Sequence, residues 1–273
     1  MMHRMKLFKI ILMQYALVSG GSKGIGYGIA KALAKRKFNL VLVARNQEDL
    51  EKAKSDLENS YHIQVAILAL DISLPSSAKF IADWCNEQDI PLKMLCNVAG
   101  IGGSEDYLSA SLENALYMLR LNTEPAITLT YTLLPLLRKN SPSHILNVSS
   151  MAGFAPIAVK NIYSATKSAI LFFSCSLKHQ LKQDGVGVSC LCPGPVFTKP
   201  EIQEDTMAKL GWLGKTMAVS ADKAGETAIR KTLRNKMIIV PGGLAWMLSW
   251  LVRILPLQTI NFFASAKVNQ QPS

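Results

Sequence analysis

The sequence predicts an α/β protein with a doubly wound parallel sheet of about seven strands and helices on both of its faces. Short, almost wholly apolar segments, typical of strands buried on both faces, alternate with amphipathic stretches that suit helices. The alternation runs along most of the 273 residues without a linker, an internal repeat or a low-complexity tract, which favours a single domain. With 49% hydrophobic and 18% charged residues, the composition excludes a disordered chain.

The predicted strands are, in chain order, "YALVSG", "NLVLVAR", "VAILALD", "KMLCNVAG", "HILNVSS", "VGVSCLCPG" and "KMIIVPGG". The predicted helices are Ile25 to Lys37, Gln47 to Ser60, Ser76 to Asp89, Leu112 to Lys139 and Tyr163 to Gly185. Parallel strands present their carboxyl ends at one edge of the sheet, and ligands of such sheets bind outside that edge. We therefore expect the small and polar residues that follow each strand to form one cleft.

The two ends of the chain differ from the predicted catalytic domain, residues 13–243. Residues 1–12 have a basic start and an apolar stretch that Lys9 interrupts, which predicts an extension outside the fold instead of a signal peptide. Residues 244–273 are rich in Trp, Phe and Leu, but Arg253 and Pro256 divide them, so a transmembrane helix is not predicted. Three roles stay open for this C-terminal extension: a lid over the substrate cleft, which we favour, a subunit interface and an interfacial membrane anchor.

Charge and cysteine content bear on partners and location. The formal net charge is +11, but the basic residues are dispersed among predicted helices and no nucleic-acid motif occurs, so no nucleic-acid partner is expected. Two denser basic clusters are interpreted as solvated helix faces, with attraction to anionic lipid or to a phosphorylated cofactor as the alternative. They comprise Lys31, Lys35, Arg36 and Lys37, and Arg230, Lys231, Arg234 and Lys236. The five cysteines lack C-x-x-C spacing, which predicts buried reduced thiols in a cytoplasmic protein and no metal site.

The first predicted strand runs into a glycine-rich loop, "SGGSKGIG", before the first helix. Gly20, Gly24 and Gly26 lie at this turn, where glycine permits tight backbone geometry and lets N–H groups approach a pyrophosphate at the helix N-terminus. Alone, the loop is weak support for a dinucleotide site, because its spacing differs from the usual fingerprint and a tight turn without a ligand would look similar.

Further motifs follow in a fixed order. They are "NVAG" from Asn97, "LRLN" ending at Asn122, Ser150, "YSATK" from Tyr163 to Lys167, and "PGPVFT" from Pro193. Together with Ser19-Gly20-x-x-x-Gly24-Ile25-Gly26, they resemble the T-G-x-x-x-G-x-G, N-N-A-G, Y-x-x-x-K and P-G-x-V-x-T motifs of short-chain dehydrogenases/reductases. Ser19 replaces the first threonine of the family's motif, and Val98 replaces the second asparagine of N-N-A-G. The resemblance covers Tyr15 to about Gly243, and it implies a Rossmann-like fold and an oxidoreductase.

The predicted catalytic residues are Asn122, Ser150, Tyr163 and Lys167. Tyr163 and Lys167 are four residues apart, so on a helix they share one face. We expect the ammonium to lower the tyrosine pKa from its usual value of about 10, so that Tyr163 can act as acid or base on a carbonyl oxygen. Ser150, or alternatively Ser149, would hydrogen-bond the same oxygen. The resemblance implies that Lys167 also binds the nicotinamide ribose and that Asn122 holds a water linking Lys167 to solvent.

Charge at the end of the second strand favours NADP(H) over NAD(H). An acidic residue there usually binds the unphosphorylated ribose, but "VLVARN" ends in Ala44 and Arg45 without a carboxylate. Lys23 adds a second cation in the glycine-rich loop, and two cations suit a 2′-phosphate. With those that the resemblance implies for the later loops, the predicted cofactor-binding residues are Ser19, Gly20, Ser22, Lys23, Gly24, Ile25 and Gly26; Arg45; Asp71 and Ile72; Asn97, Ala99 and Gly100; Tyr163 and Lys167; and Pro193, Gly194, Val196 and Thr198.

The substrate is predicted less sharply than the cofactor. The segment from Lys199 to Ser220 contains apolar residues such as Leu210 and Trp212. It suits a lid over a hydrophobic ketone or alcohol, such as a lipid, 3-keto-acyl or steroid compound, or a lid that only excludes water. The resemblance implies a homodimer or homotetramer. A non-catalytic NADP(H) sensor or scaffold of the same fold is the alternative function, which the four filled catalytic positions disfavour.

Overall fold

The computed structural model describes residues 14–102, 111–157, 160–197, 216, 218–256 and 258–259. The predicted extension 1–12, Thr198 and most of the predicted substrate lid lie outside these residues. The strands are β1 (Tyr15–Ser19), β2 (Asn39–Ala44), β3 (Val65–Ala69), β4 (Leu92–Asn97), β5 (Ser143–Val148), β6 (Val186–Leu191), β7 (Val196–Phe197), β8 (Val219–Ser220) and β9 (Ile238–Ile239). The helices are α1 (Gly24–Ala34), α2 (Gln47–Tyr61), α3 (Ser77–Glu87), α4 (Leu112–Lys139), α5 (Asn161–Gln180), α6 (Ala221–Thr232) and α7 (Gly243–Ile254).

Seven strands form one parallel sheet in the order β3-β2-β1-β4-β5-β6-β9. Strand β1 pairs with β2 on one side and with β4 on the other, so Leu17 lies between Val41 and Leu95. The strand order reverses at this point, and a crevice therefore opens where β1 and β4 end, at Ser19 and Asn97. The predicted fold class is confirmed.

Helices cover both faces of the sheet because alternate residues of each strand point to opposite sides. On one face, Val18 of β1 belongs to a fully buried cluster with Ile29 of α1 and Leu50 of α2. On the other face, Leu17 belongs to a cluster with Ile81 of α3 and Leu129 of α4. Both faces of the strands are thus buried, which explains why the strand segments are apolar throughout instead of alternating.

Helix α6 and the short β7–β8 pair were not among the predicted elements. The buried face of α6 is made of small residues, including Ala224, Gly225 and Ala228, so its sequence lacks a strong apolar stripe. Gly225 packs directly on Gly28 of α1, and a Cβ atom added at either glycine would overlap backbone atoms of the other helix. The helix is therefore specified by a close glycine contact across the molecule, which a local pattern does not display.

Two residues of the first basic cluster form ion pairs with α6. Lys31 Nζ lies 2.5 Å from Asp222, and Arg36 lies 2.5 Å from Glu226. This corrects the interpretation of the cluster as a purely solvated face, because these two cations also fasten α1 to α6.

Helix α7 makes up most of the described part of the predicted C-terminal extension. The domain boundaries at residues 13 and 243 stay predictions. Among the described residues, no helix has both the length and the apolar character needed to cross a membrane.

Candidate active site

The glycine-rich loop joins β1 to α1 with almost no space between its backbone and its neighbours. Gly20 has a φ of 68°, and a Cβ atom there would lie 2.9 Å from the Cα atom of Ala99. A Cβ atom on Gly26 would overlap the carbonyl oxygen of Gly20. Only glycine fits these two positions, so the first turn of α1 can pack against the loop and leave its N–H groups facing the crevice.

Ser19 and Asn97 hold this edge of the sheet together. Ser19 Oγ accepts hydrogen bonds from the backbone N–H groups of Val98 (3.0 Å) and Ala99 (3.3 Å), so it joins the glycine-rich loop to the segment after β4. The Asn97 amide is buried and donates to Asn147 Oδ1 at 2.8 Å. Both were predicted as cofactor-binding residues, and the structure places both side chains in hydrogen bonds within the protein.

The cations predicted to read the ribose phosphate both have partners. Lys23 Nζ lies 2.6 Å from Asp49 Oδ2, and Arg45 donates to the Tyr117 hydroxyl at 2.9 Å. Asp49 and Tyr117 were missed in the sequence. Asp49 belongs to the first turn of α2, four residues after Arg45, so the second strand is followed by an acidic residue after all. The excess of positive charge near the end of the second strand is therefore smaller than the sequence suggested, because Asp49 offsets the charge of Lys23.

Three further predicted cofactor residues, Asp71, Pro193 and Val196, come after other strands of the sheet. The Asp71 carboxylate accepts from the Ser73 N–H at 2.9 Å, which shapes the turn after β3. The Pro193 carbonyl accepts from the Met151 N–H at 2.9 Å and so ties the loop after β6 to the loop after β5. Val196 is buried in a small apolar cluster that includes Val219 and Ala224.

Ser150 and Tyr163 meet at the carboxyl end of β5. Ser150 precedes a short 3-10 turn and accepts a hydrogen bond from the Ala152 N–H at 3.1 Å, and its hydroxyl lies close enough to the Tyr163 phenol to favour the ionised form of that phenol. Ser149 points into the protein and donates to the Lys167 carbonyl at 2.6 Å. Of the two serines considered, the structure brings Ser150 to the tyrosine.

Lys167 lies on the same face of α5 as Tyr163, and its Nζ is 5.7 Å from the centroid of the tyrosine ring. The ammonium is buried and donates to the Val148 carbonyl at 3.2 Å. Burial disfavours the charged form and lowers the pKa of Lys167 to about 8.

The Tyr163 pKa differs from our expectation. Burial raises the pKa of the Tyr163 phenol, and the nearby Ser150 side chain opposes this rise. We expected Lys167 to lower the value, but desolvation of the phenolate by burial sets the direction of the shift here. The direction of the Tyr163 pKa shift depends on how deeply the phenol is buried. The spacing of two residues in a sequence gives no information on burial.

Asn122 connects the loop after β4 to the catalytic helix. Its Oδ1 accepts from the Ile101 N–H at 2.8 Å, and its Nδ2 donates to the Ile101 carbonyl and to Thr166 Oγ1 at 3.0 and 3.2 Å. Thr166 directly precedes Lys167 and was not predicted. The buried amide therefore fixes the segment beyond Gly100 against the part of α5 that carries the lysine.

The loops, glycines and convergent side chains define an oxidoreductase of the dinucleotide-binding type. Residues 14–209 match the family model described as short chain dehydrogenase. The chain belongs to the short-chain dehydrogenase family.

Similar proteins extend this assignment. The mouse very-long-chain 3-oxoacyl-CoA reductase is 31% identical over 203 residues, which are 72% of this chain and 64% of that enzyme. The L-sorbose reductase of Gluconobacter frateurii, in complex with NADPH and L-sorbose, superposes with a TM-score of 0.76 at 24% identity, covering 85% of this chain and 95% of that one. A short-chain dehydrogenase of Sphingobium yanoikuyae in complex with NADPH gives a TM-score of 0.75 at 23% identity, covering 96% and 97%. The two structures share the fold.

Proposed function

We propose that this protein is an NADP(H)-dependent oxidoreductase that interconverts a hydrophobic ketone and its secondary alcohol, with Tyr163 as the acid/base. One observation carries the proposal. The Tyr163 phenol lies near the Ser150 hydroxyl and on the same helix face as the buried ammonium of Lys167, at the edge of the sheet where the glycine-rich loop also ends. A proton donor and a dinucleotide cradle thus face one cleft.

The residues of the cleft fit a nicotinamide dinucleotide. The backbone of the loop from Gly20 to Gly26 would hold the pyrophosphate, because glycine at both ends lets the first turn of α1 pack against the loop and present its N–H groups to the crevice. Asp71 and the loop after β4 would face the adenosine, and the loop from Pro193 to Val196 would face the nicotinamide. When bound, the cofactor supplies the hydride for reduction or takes it up in oxidation.

The catalytic residues have separate tasks in ketone reduction. Tyr163 donates its phenolic proton to the carbonyl oxygen, and its raised pKa keeps that proton in place near neutral pH. Ser150 donates a hydrogen bond to the same oxygen and orients it. The Lys167 ammonium stabilises the phenolate that remains, while Asn122 keeps Thr166 and the start of α5 in position. In alcohol oxidation the same residues act in reverse.

The choice of NADP(H) rests on Lys23 and Arg45. Both side chains are exposed at the ends of β1 and β2, where an adenosine 2′-phosphate would bring two negative charges. Asp49 competes with that phosphate for Lys23, so we expect a preference for NADP(H) without exclusion of NAD(H). The NADPH complexes of the two structural relatives support this choice.

A long-chain 3-oxoacyl compound is the substrate class that we propose. The mouse relative's name supports it, and so does the apolar composition of the segment after Thr198, which lies outside the described residues. The match covers 64% of the mouse enzyme, so the chain corresponds to only part of that relative.

A substrate screen tests the proposal. Purified protein is mixed with NADPH and, in separate assays, with 3-oxoacyl, steroid, sphingoid and small diketone substrates, and loss of absorbance by NADPH is followed. We expect turnover with at least one hydrophobic ketone, and kcat/KM should rise with chain length in the 3-oxoacyl series. Turnover only with small polar diketones would contradict the substrate class. No NADPH oxidation with any ketone would favour a sensor or scaffold.

We also propose a homodimer or homotetramer that forms through α4 and α5. Large apolar side chains, Ile127 and Tyr131 on α4 and Phe172 on α5, are exposed on these two neighbouring helices. Exposed apolar patches of this kind are typical of subunit interfaces. Light scattering coupled to gel filtration should show an oligomer that Phe172→Glu converts to monomers. A monomeric wild type would contradict this proposal.

A further inference from the structure

Helix α7 exposes its large apolar residues and buries its small ones. Ala245 and Ser249 pack against the protein, whereas Trp246 and Trp250 are 51% and 50% exposed. Met247, Leu251 and Ile254 are exposed as well. A helix on the surface of a soluble domain normally shows the opposite pattern, with its apolar stripe toward the core. The outward face of α7 is therefore built for contact with something apolar.

These five exposed residues, which we call the α7 surface, form one continuous strip. At 3.6 residues per turn, they occupy an arc of roughly 140° around the helix. The two tryptophan rings lie edge to face with centroids 6.2 Å apart, so they form a single aromatic patch.

Basic side chains border this strip. A groove of about 420 Å³ runs between α7, α5 and β9, and Lys178, His179 and Arg253 are among its lining residues. None of the described residues that line the groove is acidic. The Arg253 guanidinium lies 5.0 Å from the Trp250 ring centroid and 5.9 Å from that of Phe154, and no described ion pair includes it. Its charge is available to an anionic partner.

A second basic group lies beside the groove. Lys178 Nζ donates to the Asn235 carbonyl, which places the segment before β9 next to the groove. Arg230 and Lys236 are close enough to Lys231 to lower its pKa, although burial contributes more. The apolar strip and its surroundings thus combine aromatic side chains with positive charge.

We propose that the α7 surface docks this protein onto an anionic lipid bilayer. Tryptophan favours the boundary between headgroups and acyl chains, and arginine and lysine beside it favour the phosphates of anionic lipids. A second copy of the chain fits less well, because a two-fold contact through α7 would bring each Arg253 and its neighbouring cations close to the same cations of the other copy. A role as a lid is disfavoured as well, because the large side chains point outward. The proposal goes beyond the oxidoreductase function and does not depend on it.

Vesicle sedimentation tests the docking. The full chain is mixed with vesicles of phosphatidylcholine, either pure or containing phosphatidylglycerol, and the bound fraction is measured at low and high salt. We expect binding to the anionic vesicles that weakens with salt. The variant W246S/W250S should lower the partition coefficient by roughly tenfold or more. Arg253→Gln should weaken binding to anionic vesicles only.

Matched controls separate docking from general effects of lost apolar surface. Phe80 on α3 is 55% exposed and lies outside the α7 surface, so Phe80→Ser should bind vesicles as the wild type does. Tyr163→Phe should also bind normally, which separates the outcome from that of the proposed reaction. Circular dichroism verifies that each variant is folded. As an independent measurement, brominated phosphatidylcholine mixed into the anionic vesicles should quench part of the tryptophan emission of the wild type.

Several results would overturn the proposal. Absence of wild-type binding to anionic vesicles, unchanged binding of W246S/W250S, or an equal loss in Phe80→Ser would each do so. Lack of quenching by the brominated lipid would do so even if the double variant failed to fold. A wild-type oligomer that W246S/W250S converts to monomers, without vesicle binding, would assign the face to a second copy of the chain instead.

Discussion

The ion pair between Lys23 and Asp49 predicts how cofactor preference can be changed in both directions. Lys23 Nζ is 2.6 Å from Asp49 Oδ2, and the two side chains are 68% and 20% exposed. A 2′-phosphate that binds Lys23 must displace this carboxylate or share the ammonium with it. Removing the lysine should therefore weaken NADPH binding, and removing the charge of Asp49 should strengthen it.

The exposure of the pair sets the size of the effect. Ion pairs between exposed side chains contribute up to about 1 kcal/mol, because solvent screens them. One such contact with the phosphate corresponds to a factor of roughly five in Kd. We expect Lys23→Ala to raise the Kd for NADPH about fivefold and Asp49→Asn to lower it by up to about fivefold. The Kd for NADH should change little in either variant, because NADH lacks the phosphate.

Calorimetric titration of both cofactors at two salt concentrations measures these values. Lys79 and Asp83 on α3 form a surface ion pair at 2.7 Å away from the cleft, so Asp83→Asn is a control that should change neither Kd. An equal loss of NADH and NADPH affinity in Lys23→Ala would refute the reasoning. A wild-type preference for NADH would overturn the assignment of Lys23 and Arg45 to the 2′-phosphate.

Three further predictions concern the catalytic group and the packing of α6. Burial lowers the pKa of Lys167 to about 8, so the charge of this lysine is lost as pH rises through that value. We therefore expect kcat/KM for ketone reduction to fall above about pH 8. A pH profile that stays flat up to about pH 10 would contradict this prediction. Ser150→Ala should lower kcat roughly 100-fold, whereas Ser149→Ala should lower the melting temperature and change kcat by less than about threefold. The reverse result would assign the catalytic role to Ser149 instead of Ser150. Gly225→Ala should lower the free energy of unfolding in urea by about 1–3 kcal/mol, because the added methyl group would clash with α1. Gly243 has open space around it, so Gly243→Ala should change this free energy by less than about 0.5 kcal/mol. Equal effects of the two substitutions would contradict the packing argument.

The sheet could be predicted because its strands are specified locally. All seven predicted strand segments contain strands of the sheet, and the order of motifs along the chain indicated which loops share its functional edge. The preference for Ser150 over Ser149 rested on the family's motif spacing and on the alternation of a strand, whose successive side chains point to opposite sides.

The features that were missed depend on contacts between distant parts of the chain. Helix α6 is held by Gly225 against Gly28, and no run of large apolar residues marks it. Asp49 reaches Lys23 only because the first turn of α2 lies beside the glycine-rich loop. The Tyr163 pKa depends on how deeply α5 is packed, and spacing indicates proximity to Lys167 without indicating burial.

Tyr163 as the proton donor is the central claim, and a single-turnover measurement with Tyr163→Phe tests it most directly. The variant and the wild type are each mixed with NADPH and the best ketone from the substrate screen, and NADPH oxidation is followed beside a separate titration of NADPH binding. We predict a loss of roughly 1,000-fold in the rate of oxidation, with the Kd for NADPH unchanged within about twofold. Oxidation at the wild-type rate, or a loss of rate fully explained by lost NADPH binding, would contradict the claim.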